Sequence, residues 1–225
     1  MMRPFSVGAM VAATILCAPA LASTCFGSSG TGRIEDAVAL PLAGTNFAAY
    51  SELGLKLGRT YVHAQVRDVV LGAYSALSRS TPDVQYVYGE TGLRIGGPMP
   101  PHRTHENGTS VDFMVPVLGR DGRSTPLPRT AHNHYGYDLE FDEAGKLADL
   151  RIDFAAIAAH LAQLDLEARR HGLGIARVIL EPAYIPRVLA TPAGQRIKSL
   201  PFMKTRPWVR HDEHYHVDFA VKCAR

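Results

Sequence analysis

Between residues 61 and 78, Val62, Val66, Val69, Val70, Tyr74 and Leu77 recur at three- and four-residue intervals. That spacing puts them on one face of a helix and predicts a helix over 61–78. Residues 84–88 are short, apolar and rich in β-formers, which predicts a strand. The apolar run 111–117 predicts a buried strand that ends at the turn Gly119-Arg120-Asp121-Gly122. Residues 138–141 and 147–152, on either side of Glu143-Ala144-Gly145-Lys146, read as a hairpin. Asp153 then caps a helix whose apolar face is Phe154, Ile157, Ala158, Leu161 and Leu164, with Gly172 as its stop. A strand over 175–180, a short helix over 184–189 and a last strand over 214–221 complete the pattern. Residues 92–106, rich in Gly, Pro and His, read as loop. Helices and strands mix without regular βαβ alternation, so the expected fold is α+β with a mainly antiparallel sheet. No repeat or linker divides residues 23–225, which predicts one domain.

The start of the chain follows a different logic. Arg3, an apolar stretch over 7–17 and Ala20-Leu21-Ala22 before Ser23 form a charged, apolar and small-residue sequence that reads as a secretory signal over 1–22. The apolar stretch is too short for a membrane span of ~20 residues, and no stable membrane anchor is expected. The mature protein is therefore expected in the periplasm of a Gram-negative host. Cys17 leaves with the signal, and the remaining pair, Cys25 and Cys223, suggests a disulfide in an oxidising compartment. Two free thiols or a lipidated Cys25 are the alternatives.

Composition narrows the function classes. A chain of 225 residues that is 46% hydrophobic and 20% charged is globular rather than disordered or fibrous. A formal net charge of +3 without a basic stripe excludes a nucleic-acid binder by charge pattern.

The chemistry lies in two histidine clusters. The first runs His102-Arg103-Thr104-His105-Glu106-Asn107-Gly108-Thr109-Ser110-Val111-Asp112, and the second His211-Asp212-Glu213-His214-Tyr215-His216. Zinc takes nitrogen and carboxylate ligands, three from protein and one open position when the site is catalytic. A strand turns residues i and i+2 to one face, so His214 and His216 address one cavity. His211, three residues earlier, reaches it only if the chain enters the strand from a loop or bulge. His105 and Asp112 add an imidazole and a carboxylate. The two clusters point to a metal site with two imidazoles, one carboxylate and a spare imidazole. A helix-borne HExxH motif is absent, since Asn107-Gly108-Thr109 follows His105-Glu106.

His105, Asp112 and the pair His214-x-His216 resemble the metallopeptidases grouped with lysostaphin, D-Ala-D-Ala carboxypeptidases and hedgehog domains. Within that group the chain is similar to the penicillin-insensitive murein endopeptidases. The narrower likeness rests on Ala39-Leu40-Pro41-Leu42, Arg94-Ile95-Gly96-Gly97-Pro98, Arg206-Pro207-Trp208, and His214-Tyr215-His216-Val217 running on to Cys223. It spans most of residues 23–225, is tight around the two clusters and is poor over 120–150. The resemblance implies a hedgehog or D-Ala-D-Ala peptidase-like fold. It implies Zn2+ held by His105, Asp112 and His216, and His214 as general base. It also implies that His102 and His211 line the site, where they hold a second metal or orient the substrate, and that Cys25 pairs with Cys223. The implied activity is hydrolysis of peptide cross-links between peptidoglycan stem peptides at the D-alanyl-meso-diaminopimelyl bond. An L,D-endopeptidase or D,D-carboxypeptidase specificity is the nearest alternative, and a non-catalytic periplasmic metal- or peptidoglycan-binding protein is the rival from another class. Two positions depart from the family pattern. Thr109-Ser110 stands where Leu-Asp is usual, and Asp218 where a basic residue is usual.

Weaker candidates remain. His132 and His134 read as a solvated loop, or as a second metal site or cleft wall. His63, His160 and His171 read as structural. Arg94 and Arg103 suit a surface ion pair as well as an oxyanion or carboxylate contact. Trp208 suits a groove wall as well as the core.

Overall fold

The computed structural model describes residues 22–130 and 133–225. Residues 1–21 of the signal expected over 1–22, and His132, lie outside the described residues. Five strands form the central sheet: β1 (Phe47–Ala49), β2 (Tyr86–Tyr88), β3 (Ser110–Met114), β4 (Ile175–Ile179) and β5 (His214–Phe219). Their order across the sheet is β4-β5-β3-β2-β1. Every pairing is antiparallel except β1 with β2. Two long helices, α1 (Ala64–Ser80) and α2 (Phe154–Arg170), accompany it. The protein is α+β, as the patterning predicts.

The helices form for the reasons their sequences suggest, with one shift. Asp153 accepts from the Ala156 amide and starts α2, and Gly172 follows its end at φ +70. The helix predicted over 61–78 begins later, at Ala64. Tyr61 and Val62 pair instead with Val38 and Ala39 as a two-stranded ribbon. His63 becomes the cap, its Nδ1 accepting from the Gln65 amide. The strand predicted over 111–117 is also corrected. Pro116 has no amide to give a ladder, so β3 ends at Met114 and Val117–Leu118 joins a second, four-stranded sheet. Residues 138–141 are not a strand. The Phe141 amide donates to Asp212 at 2.6 Å, and the hairpin consists of Lys146–Leu147 and Leu150–Ile152.

Register decides what each face of the central sheet carries. Ladder partners are His214 with Met114, Tyr215 with Phe113, His216 with Asp112, and Asp218 with Ser110. Side chains alternate along a strand. β5 therefore turns His214, His216 and Asp218 one way and Tyr215, Val217 and Phe219 the other. The apolar face meets the helices. Phe113 sits edge-on to Tyr74 of α1 and His160 of α2, and His160 Nδ1 bonds the Tyr215 hydroxyl. Burial pushes the His160 pKa down to about 3, which keeps it a neutral core residue.

A hairpin of Thr24–Ser28 and Thr31–Glu35 closes over the loop that carries the first histidine cluster. The Glu106 amide donates to Ser29 O at 2.9 Å, and Glu106 Oε2 accepts from the Gly32 amide at 3.1 Å. Arg94-Ile95-Gly96-Gly97-Pro98 threads between them. Gly96 has φ +72, and a Cβ there would lie 2.1 Å from Glu106 O, so only glycine fits. Cys25 and Cys223 form a disulfide across a sequence separation of 198. Asn107 Nδ2 donates to Cys223 Sγ at 3.4 Å, which ties the bond to the same loop.

Joining residues so far apart removes much chain entropy from the unfolded state. Replacing both cysteines with serine should lower the unfolding free energy by about 2–5 kcal/mol in a urea titration. An unchanged midpoint at unchanged slope would mean that packing alone holds the hairpin.

Candidate active site

Asp112, on β3, is buried at 1% exposure, and both of its oxygens meet residues of the two clusters. Oδ1 lies 2.8 Å from His216 Nδ1 and 3.3 Å from His105 Nε2. Oδ2 accepts from the Tyr137 hydroxyl at 2.9 Å and lies 3.9 Å from His102 Nδ1. His102, His105 and Asp112 each offer a donor atom within 4.8 Å of the others. His216 reaches the same carboxylate from the neighbouring strand.

His105 is held with unusual care. Its backbone sits at φ +74, a conformation that costs a non-glycine residue about 1–3 kcal/mol and is concentrated at functional sites. Its Nδ1 lies 2.8 Å from Thr91 O, and since a carbonyl only accepts, Nδ1 carries the hydrogen. Nε2 is then a bare lone pair. It is fully buried and has no hydrogen-bond partner, although a carboxylate oxygen faces it at 3.3 Å. Two electron-rich atoms aimed at each other in a buried site suit a cation between them. The second-nitrogen bond to a backbone carbonyl is the usual support of a metal-binding histidine. The donors are imidazole nitrogen and carboxylate oxygen, a set that suits zinc and other first-row divalent metals.

The remaining histidines have definite places. His102 Nε2 bonds Glu90 Oε2 at 2.6 Å, and Glu90 is ion-paired with Arg59, so His102 turns Nδ1 towards Asp112. His214 Nδ1 lies 2.9 Å from Glu213 Oε1. His211 precedes β5 in an irregular stretch, and its ring lies 4.4 Å from that of His214. The entry from a loop that its spacing required is thus present. The groove over these residues has a volume of about 290 Å³. Trp208, 38% exposed, lines it beside Val209 and is not a core residue. Arg103 lies over the Trp208 ring at 5.8 Å, while Arg94 is exposed. Neither arginine is among the groove-lining residues. Among the described residues, His63 caps α1 and His171 ends α2.

The chain matches the family model described as penicillin-insensitive murein endopeptidase over residues 25–225. It belongs to that family. No curated protein matches it. Membership in the murein endopeptidases makes the protein a peptidoglycan hydrolase by class, with the cell wall as its substrate. Among the described residues no helix is long and apolar enough to cross a membrane.

The two departures from the family pattern prove to be neighbours. Ser110 and Asp218 face each other across the β3–β5 ladder, and the Ser110 hydroxyl donates to Asp218 Oδ1 at 2.6 Å. The same oxygen meets His216 Nε2 at 2.8 Å. Three residues that touch the site were not singled out in the sequence. They are Glu90, Tyr137 and Glu213. Glu213 stood inside the second cluster, and its adjacency to His214 was the available signal. Tyr137 lies in the poorly matching stretch, and Glu90 lies upstream of the first cluster, so neither offered one.

Electrostatics follow from burial and proximity. Burial alone would raise Asp112, but His105, His214 and the hydrogen bonds it accepts hold it well below the usual carboxylate value. Burial would lower His216, yet Asp218 and Asp112 push it up to about 9. Burial lowers His214 to about 4 and His211 to about 3 and raises Glu213 to about 8. His216 thus carries a proton when no metal is bound. A raised folded-state pKa gives stability that is fully present below the ordinary value of 6.5 and is lost as pH rises through about 9. The chelated protein should therefore show a falling melting temperature between about pH 6.5 and about pH 9, and His216→Ala should reduce that fall, leaving the share of Glu213, whose raised pKa adds a fall of the same sign up to about pH 8. A wild-type melting curve independent of pH across this window would contradict the paired imidazolium.

Proposed function

We propose that the protein is an exported zinc-dependent endopeptidase that cuts peptide cross-links in peptidoglycan at the D-alanyl-meso-diaminopimelyl bond. His105, Asp112 and His216 would hold the zinc. The observation that carries this reading is the bare, buried His105 Nε2 facing Asp112, with His214 in the groove beside it. When bound, zinc lowers the pKa of water towards ~7 and polarises the scissile carbonyl.

The chain's own residues supply the rest. Glu213 Oε1 lies against Nδ1 of His214; with that oxygen accepting the Nδ1 hydrogen, Nε2 is left to take the proton of the attacking water and hand it to the leaving amine. Burial keeps His214 neutral at physiological pH, the form a base requires. Tyr137 holds one oxygen of Asp112 and leaves the other for the metal. His102 and His211 line the groove and orient the substrate or hold a second metal. Trp208 and Val209 give the stem peptide an apolar wall. Because no serine ester forms, β-lactams should not inhibit the reaction. The leader over 1–22 would deliver the protein to the periplasm.

A non-catalytic wall-binding protein is the rival, and it has no need of a free base. The test is mass spectrometry of purified cross-linked muropeptide dimers incubated with the zinc-loaded mature protein. Monomers should appear, their masses naming the bond, and chelation should abolish them. His214→Ala should slow turnover by ~10²-fold or more while zinc stays bound. Intact dimers despite bound zinc would favour the binder, and loss of zinc in His214→Ala would exchange the roles of His214 and His216.

A further inference from the structure

Asp218 lies on the site-facing side of β5, two residues beyond His216, and is nearly buried at 5% exposure. Its two oxygens are used separately. Oδ1 meets His216 Nε2 at 2.8 Å and accepts from the Ser110 hydroxyl at 2.6 Å. Oδ2 accepts from Arg177 Nε at 2.8 Å. Asp112, His216 and Asp218 therefore form a continuous row, with the imidazole bridging two carboxylates through its two nitrogens. Oδ1 of Asp218 is an acceptor fixed at the far end of the ring, away from the candidate metal position. An imidazole without that partner could turn over and present either nitrogen.

We propose that Asp218 is a positioning residue for the metal centre. By holding the Nε2 hydrogen of His216, it fixes the ring orientation and the tautomer in which Nδ1 carries the free lone pair. The proposal rests on the assignment of His216 as a ligand. Partners of this kind raise ligand basicity and fix ring direction, and their loss costs metal affinity. The competing account is that Asp218 serves only its ion pair with Arg177. The two accounts divide at the carboxylate, since Arg177 uses Oδ2 and the ring uses Oδ1.

The experiment is a zinc dissociation constant from competition with a chromophoric chelator, with folding checked by circular dichroism. Wild type is compared with Asp218→Asn, Arg177→Met and the double variant Ser110→Asp/Asp218→Ser. The amide of Asp218→Asn is a weaker acceptor, and zinc binding should weaken about 10–100-fold. Arg177→Met should lower the melting temperature and leave zinc affinity near wild type. The double variant moves the carboxylate to the ladder partner and should bind more tightly than the uncharged Ser110→Asn/Asp218→Ser. That comparison stays decisive if Asp218→Asn does not fold. Unchanged affinity in folded Asp218→Asn, equal losses in Arg177→Met and Asp218→Asn, or equal affinities in the two double variants would overturn the proposal. A wild-type protein that binds no zinc would overturn the ligand assignment with it. Tight binding in both wild type and Asp218→Asn would overturn the positioning role alone.

Discussion

A carboxylate taken out of water must find compensating charge and hydrogen bonds or it will not stay ionised. Asp112 is such a group, and much of the molecule around it reads as the means of keeping it where it is. One oxygen meets His216 and His105, and the other takes the Tyr137 hydroxyl. Each of those partners is itself anchored or packed: His216 to Asp218, His105 to the Thr91 carbonyl, and the Tyr137 ring against His102 and His214. Outer polar groups thus support inner ones, and the inner ones leave the buried lone pair of His105 facing an anion.

That arrangement depends on strand register. On β3 and β5, odd and even positions carry opposite chemistry, and both faces are buried. A slip of one residue would turn Asp112, His216 and His214 towards the helices and bring Phe113 and Tyr215 into the groove. The apolar face resists this because Phe113 and Tyr215 are locked against Tyr74 and His160. His160 thus has a structural part in the chemistry although it lies behind the sheet. It bonds the one side chain that stands between His214 and His216 in sequence.

How much was legible in the sequence follows from the range of the forces involved. α2 was readable because its cap, its apolar stripe and its stop are local. The two histidine clusters were readable because ligand chemistry depends on residue type and short spacing, and strand alternation already put His214 and His216 on one face. Three boundaries differ from the local pattern, two because tertiary pairing overrode it and one because a proline breaks it. Tyr61 and Val62 took a ribbon partner, Pro116 diverted the chain to another sheet, and Phe141 gave its amide to Asp212. Glu90 and Tyr137 were invisible for a related reason. A glutamate ahead of a loop and a tyrosine in an unpatterned stretch carry no mark of the carboxylate or imidazole they will meet. Asp218 was noticed only as an exception, and its meaning came with the ladder that put it beside Ser110 and His216.

The position of β5 within the sheet has a further consequence. It follows every other strand of the sheet in chain order, yet it lies between β4 and β3. Until residues 214–219 are made, β4 has no neighbour in this sheet and β3 lacks its partner on that side. Exposed edges of that kind invite pairing with other chains. The strand that heals the sheet also delivers His214 and His216. A chain that stops short of β5 thus lacks both the strand that joins the two parts of the sheet and two histidines of the candidate site.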